Sequence, residues 1–213
     1  MRISTQRTRI DSLILGLVAL GLTSIAAAAD TGLSGAALVQ ALQRGGYVLV
    51  MRHANSPGTP PDKAAADPDN TRLERQLDDA GRKAATDIGV ALKDRHIRVG
   101  ALYVSPTFRA LQTARLAQLG KPQIAPELDE PAQGMQGTAL AASAEWLRHK
   151  TTEIPATATN SVLITHFPNV IAAFKADATG AAAGETFVFR PDGKGGTALV
   201  ARIKPEDWAA LPR

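Results

Sequence analysis

Residues 47–58 read YVLVMRHANSPG. An unbroken apolar run drives straight into an arginine and a histidine, Arg52 and His53, and then into a turn. A continuous apolar run of this length, without alternation, is the signature of a strand covered on both faces. Two further runs follow the same plan, ALYVSP at 101–106 and SVLIT at 161–165, the latter opening SVLITHFPNV. Each stops abruptly at polar residues.

Helical patterns fill the spaces between these runs. LSGAALVQALQRGG (33–46) offers Ser34 as an N-cap and Gly45 as a stop. DDAGRKAATDIGVALKDRH (78–96) places Ala84, Ile88, Ala91 and Leu92 on one face, with Asp78 or Asp79 near its start. FRALQTARLAQLG (108–120) reads as a helix closed by Gly120, TALAASAEWLRHK (138–150) as another, and PNVIAAFKADATG (168–180) as a third. PQIAPEL (122–128) predicts a short strand, and ETFVFRPDGKGGTALVARI (185–203) a hairpin turning at Asp192-Gly193. The alternation predicts an α/β domain of three layers. Its central sheet is mainly parallel with helices on both faces, and an antiparallel hairpin sits at the C-terminal end. NSPGTPPDKAAADPDNT (55–71) reads as a long loop bordering whatever lies at the first strand's end.

The first 29 residues are set apart from the fold. Arg2, Arg7 and Arg9 precede an apolar run from Leu13 to Ile25, and Ala27 and Ala29 frame a cleavage site before Asp30. This is the layout of a secretory signal peptide. The alternative is an uncleaved anchor, since the run extended to Ala29 approaches the length needed to span a bilayer. Cleavage leaves residues 30–213 as a single domain, periplasmic or secreted, with no stable membrane insertion. The formal charge of +4 then falls to +2, because Arg2, Arg7, Arg9 and Asp11 leave together. The basic balance therefore says little about nucleic acid, and no basic run alternates with the few aromatics to offer a stacking platform. With no cysteine in the chain, thiol catalysis and thiolate metal sites are excluded.

The polar groups at the strand ends carry the chemistry. In open α/β sheets ligands bind beyond the carboxyl ends of the strands. The first strand ends in Arg52-His53, the second in Ser105-Pro106 with Arg109 just beyond, and the third in His166. Two of the chain's four histidines thus follow strands directly, whereas His96 and His149 lie among charges on helix surfaces. Two arginines and two histidines on one rim make an electropositive basin that is costly unless an anion fills it. Phosphate suits it, because guanidinium offers paired donors matching phosphoryl oxygens.

VLVMRHA, DDAGRKAA, SPTFRALQTA and LITHFPNV, in this order, resemble the histidine phosphatase superfamily, which includes the phosphoglycerate mutases. The resemblance runs from about Gly46 to Ala173. It implies that His53 attacks phosphorus and becomes a transient phosphohistidine. Arg52, Arg109 and His166 then grip the phosphoryl oxygens. It implies neither metal nor cofactor. ELDEPAQGMQG (127–137) resembles the segment carrying the family's proton-donating acid, which points to Glu130, with Glu127 and Asp129 as competitors. Where the mutase pattern has aromatic-Glu-Gly, this chain has MQG at 135–137. Ala54 stands where the family often has glycine. Asn55 and Ser56 are candidate donors to the phosphoryl group or a plain turn, and Asn169 is a candidate helix cap.

The resemblance implies an exported phosphatase acting on phosphomonoesters, with sugar phosphates or the glycolipid phosphates of lipopolysaccharide as substrates. RQLDDAGR (75–82) also resembles the small phosphohistidine protein phosphatases. A phosphate- or phosphosugar-binding protein without turnover is the alternative from another class. A metal site built on His53, His166 and a carboxylate is a third, disfavoured by the arginine beside both histidines.

Overall fold

The fold was analysed in a computed structural model, which describes Met1, residues 32–130 and residues 137–213. The segment expected to be a signal peptide, apart from Met1, and Met135 and Gln136 of the MQG stretch lie outside the described residues. Among the described residues no helix is long and apolar enough to cross a membrane.

The elements run α1 (Gly35–Arg44), β1 (Val48–Arg52), α2 (Asp79–Asp94), β2 (Val99–Val104), α3 (Phe108–Leu116), β3 (Gln123–Ile124), α4 (Thr138–Lys150), β4 (Asn160–Thr165), α5 (Phe167–Phe174), β5 (Thr186–Pro191), β6 (Thr197–Ile203) and α6 (Asp207–Ala210). They build one six-stranded sheet in the order β3-β2-β4-β1-β5-β6. β3, β2, β4 and β1 are parallel neighbours; β5 and β6 form the antiparallel C-terminal pair.

β1 shows why its apolar run is unbroken. Val48 and Val50 point into a core with α4 and α5, through Leu147, Val170 and Ala173. Leu49 and Met51 point the other way, into a core with α1, α2, α3 and α6 that includes Leu42, Ile88, Ala110 and Trp208. With helices over both faces, alternation has no polar side to serve. The three-layer expectation holds.

Element ends differ from the sequence reading for local reasons. α3 stops at Leu116, not at Gly120, because Gln118 already adopts a left-handed φ of 52°. α5 stops at Phe174, where Lys175 has a φ of 49°, and one 3₁₀ turn continues to Ala178. Ser34 flanks α1 without a side-chain cap, whereas Asp78 caps α2 by accepting from Gly81 N at 2.7 Å. Residues 53–78 contain no helix or strand.

That long segment is fastened at its far end by Gly81. A Cβ built there would lie 2.1 Å from the Asn55 carbonyl oxygen, so only glycine lets the first turn of α2 touch the chain just after His53. Gly81→Ala is expected to cost about 1–3 kcal/mol in urea unfolding. Gly58→Ala, in the same loop but with nothing within 4 Å, is expected to stay within about 0.5 kcal/mol of wild type.

Candidate active site

Because β2, β4 and β1 are adjacent and parallel, their carboxyl ends lie side by side and deliver Ser105, His166 and Arg52-His53 to one rim. The end of β4 and the turn before β5 hold His53 in place: its N–H donates to Thr165 O at 2.9 Å, and its carbonyl accepts from Gly184 N at 3.0 Å. The imidazoles of His53 and His166 face each other edge to face, with centroids 5.1 Å apart. Both are buried, as is Arg109 in the first turn of α3.

Arg109 ties the two rings together. Its Nε donates to His53 Nε2 at 3.3 Å and its Nη2 to His166 Nδ1 at 3.1 Å. These partners fix both tautomers. The Ala54 carbonyl, 2.8 Å from His53 Nδ1, can only accept, so Nδ1 carries the proton and Nε2 the lone pair. Guanidinium can only donate, so His166 Nδ1 holds its lone pair and Nε2–H donates to Ser105 Oγ at 2.8 Å. Both ring nitrogens that a metal would need are thus faced by a cation. Among the described residues no cluster of three or more metal-ligating side chains forms.

Two more arginines converge. Arg52 donates from Nη1 to Ala181 O at 2.8 Å and lies under the ring of Phe167, 5.1 Å from its centroid. Its Nε is buried without a partner. Arg75, to which the sequence reading gave no role, anchors Nε on Pro57 O at 2.7 Å and brings Nη1 to 3.7 Å from Glu130 Oε2. The same Glu130 oxygen pairs with Arg109 Nη2. Arg75 opens RQLDDAGR but lies in the irregular segment, where no periodicity reveals which way a side chain points. Its neighbour Glu74 accepts from Phe108 N at 2.9 Å and so caps α3 where Thr107 does not.

The remaining candidates separate. Of the three acids, Glu130 is the one that meets the guanidinium groups; Glu127 and Asp129 are exposed. Asn55 gives its amide to Asp78 Oδ2 at 2.6 Å, and Ser56 Oγ has a long contact of 3.4 Å to Pro57 O; both belong to the packing of the loop. Ala54 is fully buried, with its N–H on Thr113 Oγ1 at 3.1 Å, and its φ is not positive. Asn169 is no cap: it lies inside the first turn of α5, fully buried, and donates to Asp129 O and Ser143 Oγ.

Burial, opposed by the bond to Ala54 O and reinforced by Arg109, Arg52 and Arg75, pushes the His53 pKa down to about 3. Burial first, and then Arg109, push that of His166 down to about 2. Both rings are neutral, and His53 offers its Nε2 lone pair beside three guanidinium groups. The geometry is that of a neutral nucleophile set in an anion cradle.

The sequence of residues 48–186 matches the family model of the histidine phosphatase superfamily (branch 1). The chain belongs to that superfamily. No curated protein matches it. Among solved structures, the protein histidine phosphatase SixA complexed with tungstate is 19% identical, with a TM-score of 0.52 over 76% of this chain and 98% of that one. A mycobacterial glucosyl-3-phosphoglycerate phosphatase complexed with VO3 is 14% identical, with a TM-score of 0.52 over 73% and 97%. A phosphoserine phosphatase mutant of Entamoeba histolytica in complex with phosphoserine is 11% identical, with a TM-score of 0.52 over 75% and 98%. These likenesses share the fold of the histidine phosphatases.

Folded-state pKa values below the unfolded imidazole value of about 6.5 set the sign of a pH dependence. As pH falls below about 6.5 the unfolded chain takes up protons that the folded chain refuses, so stability declines toward pH 3, by up to about 1.4 kcal/mol per pH unit for each ring. Imidazole NMR signals of His53 and His166 are expected to keep their neutral-form shifts at pH 5. The double variant His53→Gln/His166→Gln is expected to lose less stability than wild type between pH 6.5 and 4.5.

Proposed function

We propose that this chain is an exported phosphatase that hydrolyses phosphomonoesters through a phosphohistidine intermediate on His53. The observation that carries the reading is the His53 Nε2 lone pair, whose tautomer is fixed by Ala54 O, facing a cradle of Arg52, Arg75, Arg109 and His166. A phosphoryl dianion adds negative charge for the three guanidinium groups beyond what the Glu130 carboxylate gives them.

In the first step His53 Nε2 forms a bond to phosphorus as the ester P–O bond breaks. Glu130 gives its proton to the departing oxygen, without which an alkoxide leaves poorly. The imidazole becomes cationic, and its Nδ1–H stays on the Ala54 carbonyl, which offsets that charge. The guanidinium groups hold the equatorial oxygens, where charge must be stabilised during transfer. Water then attacks phosphorus, the Glu130 carboxylate takes its proton, and the P–N bond breaks to release inorganic phosphate and neutral His53.

Before substrate arrives, the Glu130 carboxylate rests on Arg109 and Arg75. A phosphoryl dianion binding to those same guanidinium groups takes over the partners of the carboxyl and leaves it free to turn toward the departing oxygen.

Residues 1–29 are read as the export signal, and sugar phosphates or lipopolysaccharide phosphates as the substrate class suited to a periplasmic or secreted enzyme. Glu130 favours such oxygen esters, whose alcohols need a proton to leave. A second reading, phosphohistidine protein phosphatase, is supported by the structural likeness to SixA. Binding without turnover is the third.

Trapping by an alkaline denaturing quench separates these. Wild type incubated with p-nitrophenyl phosphate is expected to yield an acid-labile phosphoprotein that His53→Ala does not form. Glu130→Gln is expected to phosphorylate normally from that activated ester but to lose about 10²–10⁴-fold on alkyl and sugar phosphates. Residual hydrolysis in His53→Ala equal to wild type would sink the mechanism. Faster turnover of phosphohistidine, indifferent to Glu130→Gln, would select the second reading. Mass spectrometry of the exported protein is expected to find Asp30 at the mature N-terminus.

A further inference from the structure

Two consecutive carbonyls just before Glu130 are each held by a buried side chain. Thr165 Oγ1 donates to Leu128 O at 2.9 Å, and Asn169 Nδ2 donates to Asp129 O at 2.8 Å. Both side chains are fully buried, and both belong to the β4–α5 turn that carries His166. Asn169 is braced in turn by Ser143 of α4, at 2.7 Å.

The arrangement has an unusual cost. Asn169 Oδ1 is buried with no partner. A buried amide left half-satisfied is a poor choice for packing alone, since an apolar side chain of similar size removes the unsatisfied acceptor. The half that is satisfied is the donor, and it is spent on the backbone of the segment leading to the acid.

Leu128 is fully buried, and its N–H closes a 3₁₀ turn over Pro126–Leu128 onto Ala125 O at 3.0 Å. Glu130 is the first partly exposed acid beyond this fixed point to reach Arg109, and its own N–H is taken by Asp129 Oδ1 at 2.8 Å. With the carbonyls of Leu128 and Asp129 both clamped, the remaining freedom of Glu130 lies mostly in its side chain. The turn that sets the His166 imidazole therefore also sets where the Glu130 carboxyl can swing.

We propose that Thr165 and Asn169 are positioning residues for the acid, locking the backbone before Glu130 to the His166 turn so that the carboxyl reaches the departing oxygen. This rests on the reading of Glu130 as proton donor. Neither side chain touches substrate or transfers a proton. Proton delivery is sensitive to placement, and an ångström of misplacement costs about 10²-fold.

The leaving group tells this role from a merely structural one. Nitrophenolate departs without a proton, whereas the alkoxide of a glycerol phosphate does not. Thr165→Val and Asn169→Ala are expected to lose about 10- to 100-fold in kcat on glycerol phosphate, yet to stay within about 2-fold of wild type on p-nitrophenyl phosphate. Thr165→Ser, which keeps the hydroxyl, is expected to restore glycerol phosphate turnover, and it serves if Asn169→Ala does not fold. In a Glu130→Gln background neither substitution is expected to add a further loss, because the group it positions is already gone.

Equal losses on both esters would overturn the proposal, since displacing His166 or loosening the fold harms both. A full additional loss on top of Glu130→Gln would also overturn it. A wild-type protein that cleaves neither ester refutes the phosphatase reading itself, a distinct result that takes this inference with it.

Discussion

One planar group organises the site. The Arg109 guanidinium donates to both imidazoles and pairs with Glu130, so three groups from three separate stretches of chain are registered against one rigid fork. Lysine could not do this: a single ammonium has no fixed edges with which to hold two ring nitrogens and a carboxylate in one plane. The interaction is possible because α3 begins immediately after the second strand's end, pointing its first turn across the rim. The start of α3 is itself secured from outside by the Glu74 carboxylate on Phe108 N, and from within the helix by Thr113 Oγ1, which donates to Arg109 O at 2.8 Å. Burial would favour losing the charge on Arg109, and the Glu130 carboxylate opposes that pressure.

The sheet order supplies the rest. With β4 between β2 and β1, His166 arrives between Ser105 and His53, close enough for its Nε2 to use the serine and its Nδ1 to meet Arg109. The antiparallel β5 closes the other side of β1. The turn before it contributes the Ala181 carbonyl that holds Arg52 and the Gly184 N–H that meets the carbonyl of His53. The C-terminal hairpin, which carries none of the site residues, thus still steadies two of them. The opening stretch YVLVMRHA is apolar on both sides because helices cover both sides. It ends in charge because there the cover stops.

How much of this was legible follows the periodicity of the chain. Continuous apolar runs announced β1, β2 and β4, and residues placed directly after a strand inherit its direction. His53, Arg52 and His166 could therefore be located by counting, and Arg109 by its place in the first turn of a helix. Arg75 could not. It lies in an irregular segment fixed by side-chain bonds such as Asn70 Nδ2 to Glu74 O and Asn70 Oδ1 to Glu74 N, and pairings of that kind leave no pattern in sequence. Asn169 was misread for a related reason. An asparagine near a helix start usually caps it, but here the Pro at the second helical position and the extended His166 already begin the helix, and the amide is free to face inward. Helix ends were overrun where a non-glycine residue takes a left-handed φ, as Gln118 and Lys175 do, since sequence offers no warning of that choice.

Three guanidinium groups this close repel one another, and each is felt in the titration of both imidazoles. A cluster of that kind survives in a fold only if something negative compensates it. The Glu130 carboxylate on Arg109 and Arg75 supplies the nearest compensation, with Asp129 and Glu74 adding to it at Arg109. A phosphoryl dianion brings more charge and more acceptor oxygens to the same donors, so it can displace the carboxylate instead of merely joining it. On the proposed mechanism the acid then stands beside the ester oxygen with its former partners occupied. On that mechanism, a carboxylate that steadies the cradle is in this way placed to act as the acid once a phosphoryl group is bound, and a single residue reconciles the stability of the cradle with its chemistry.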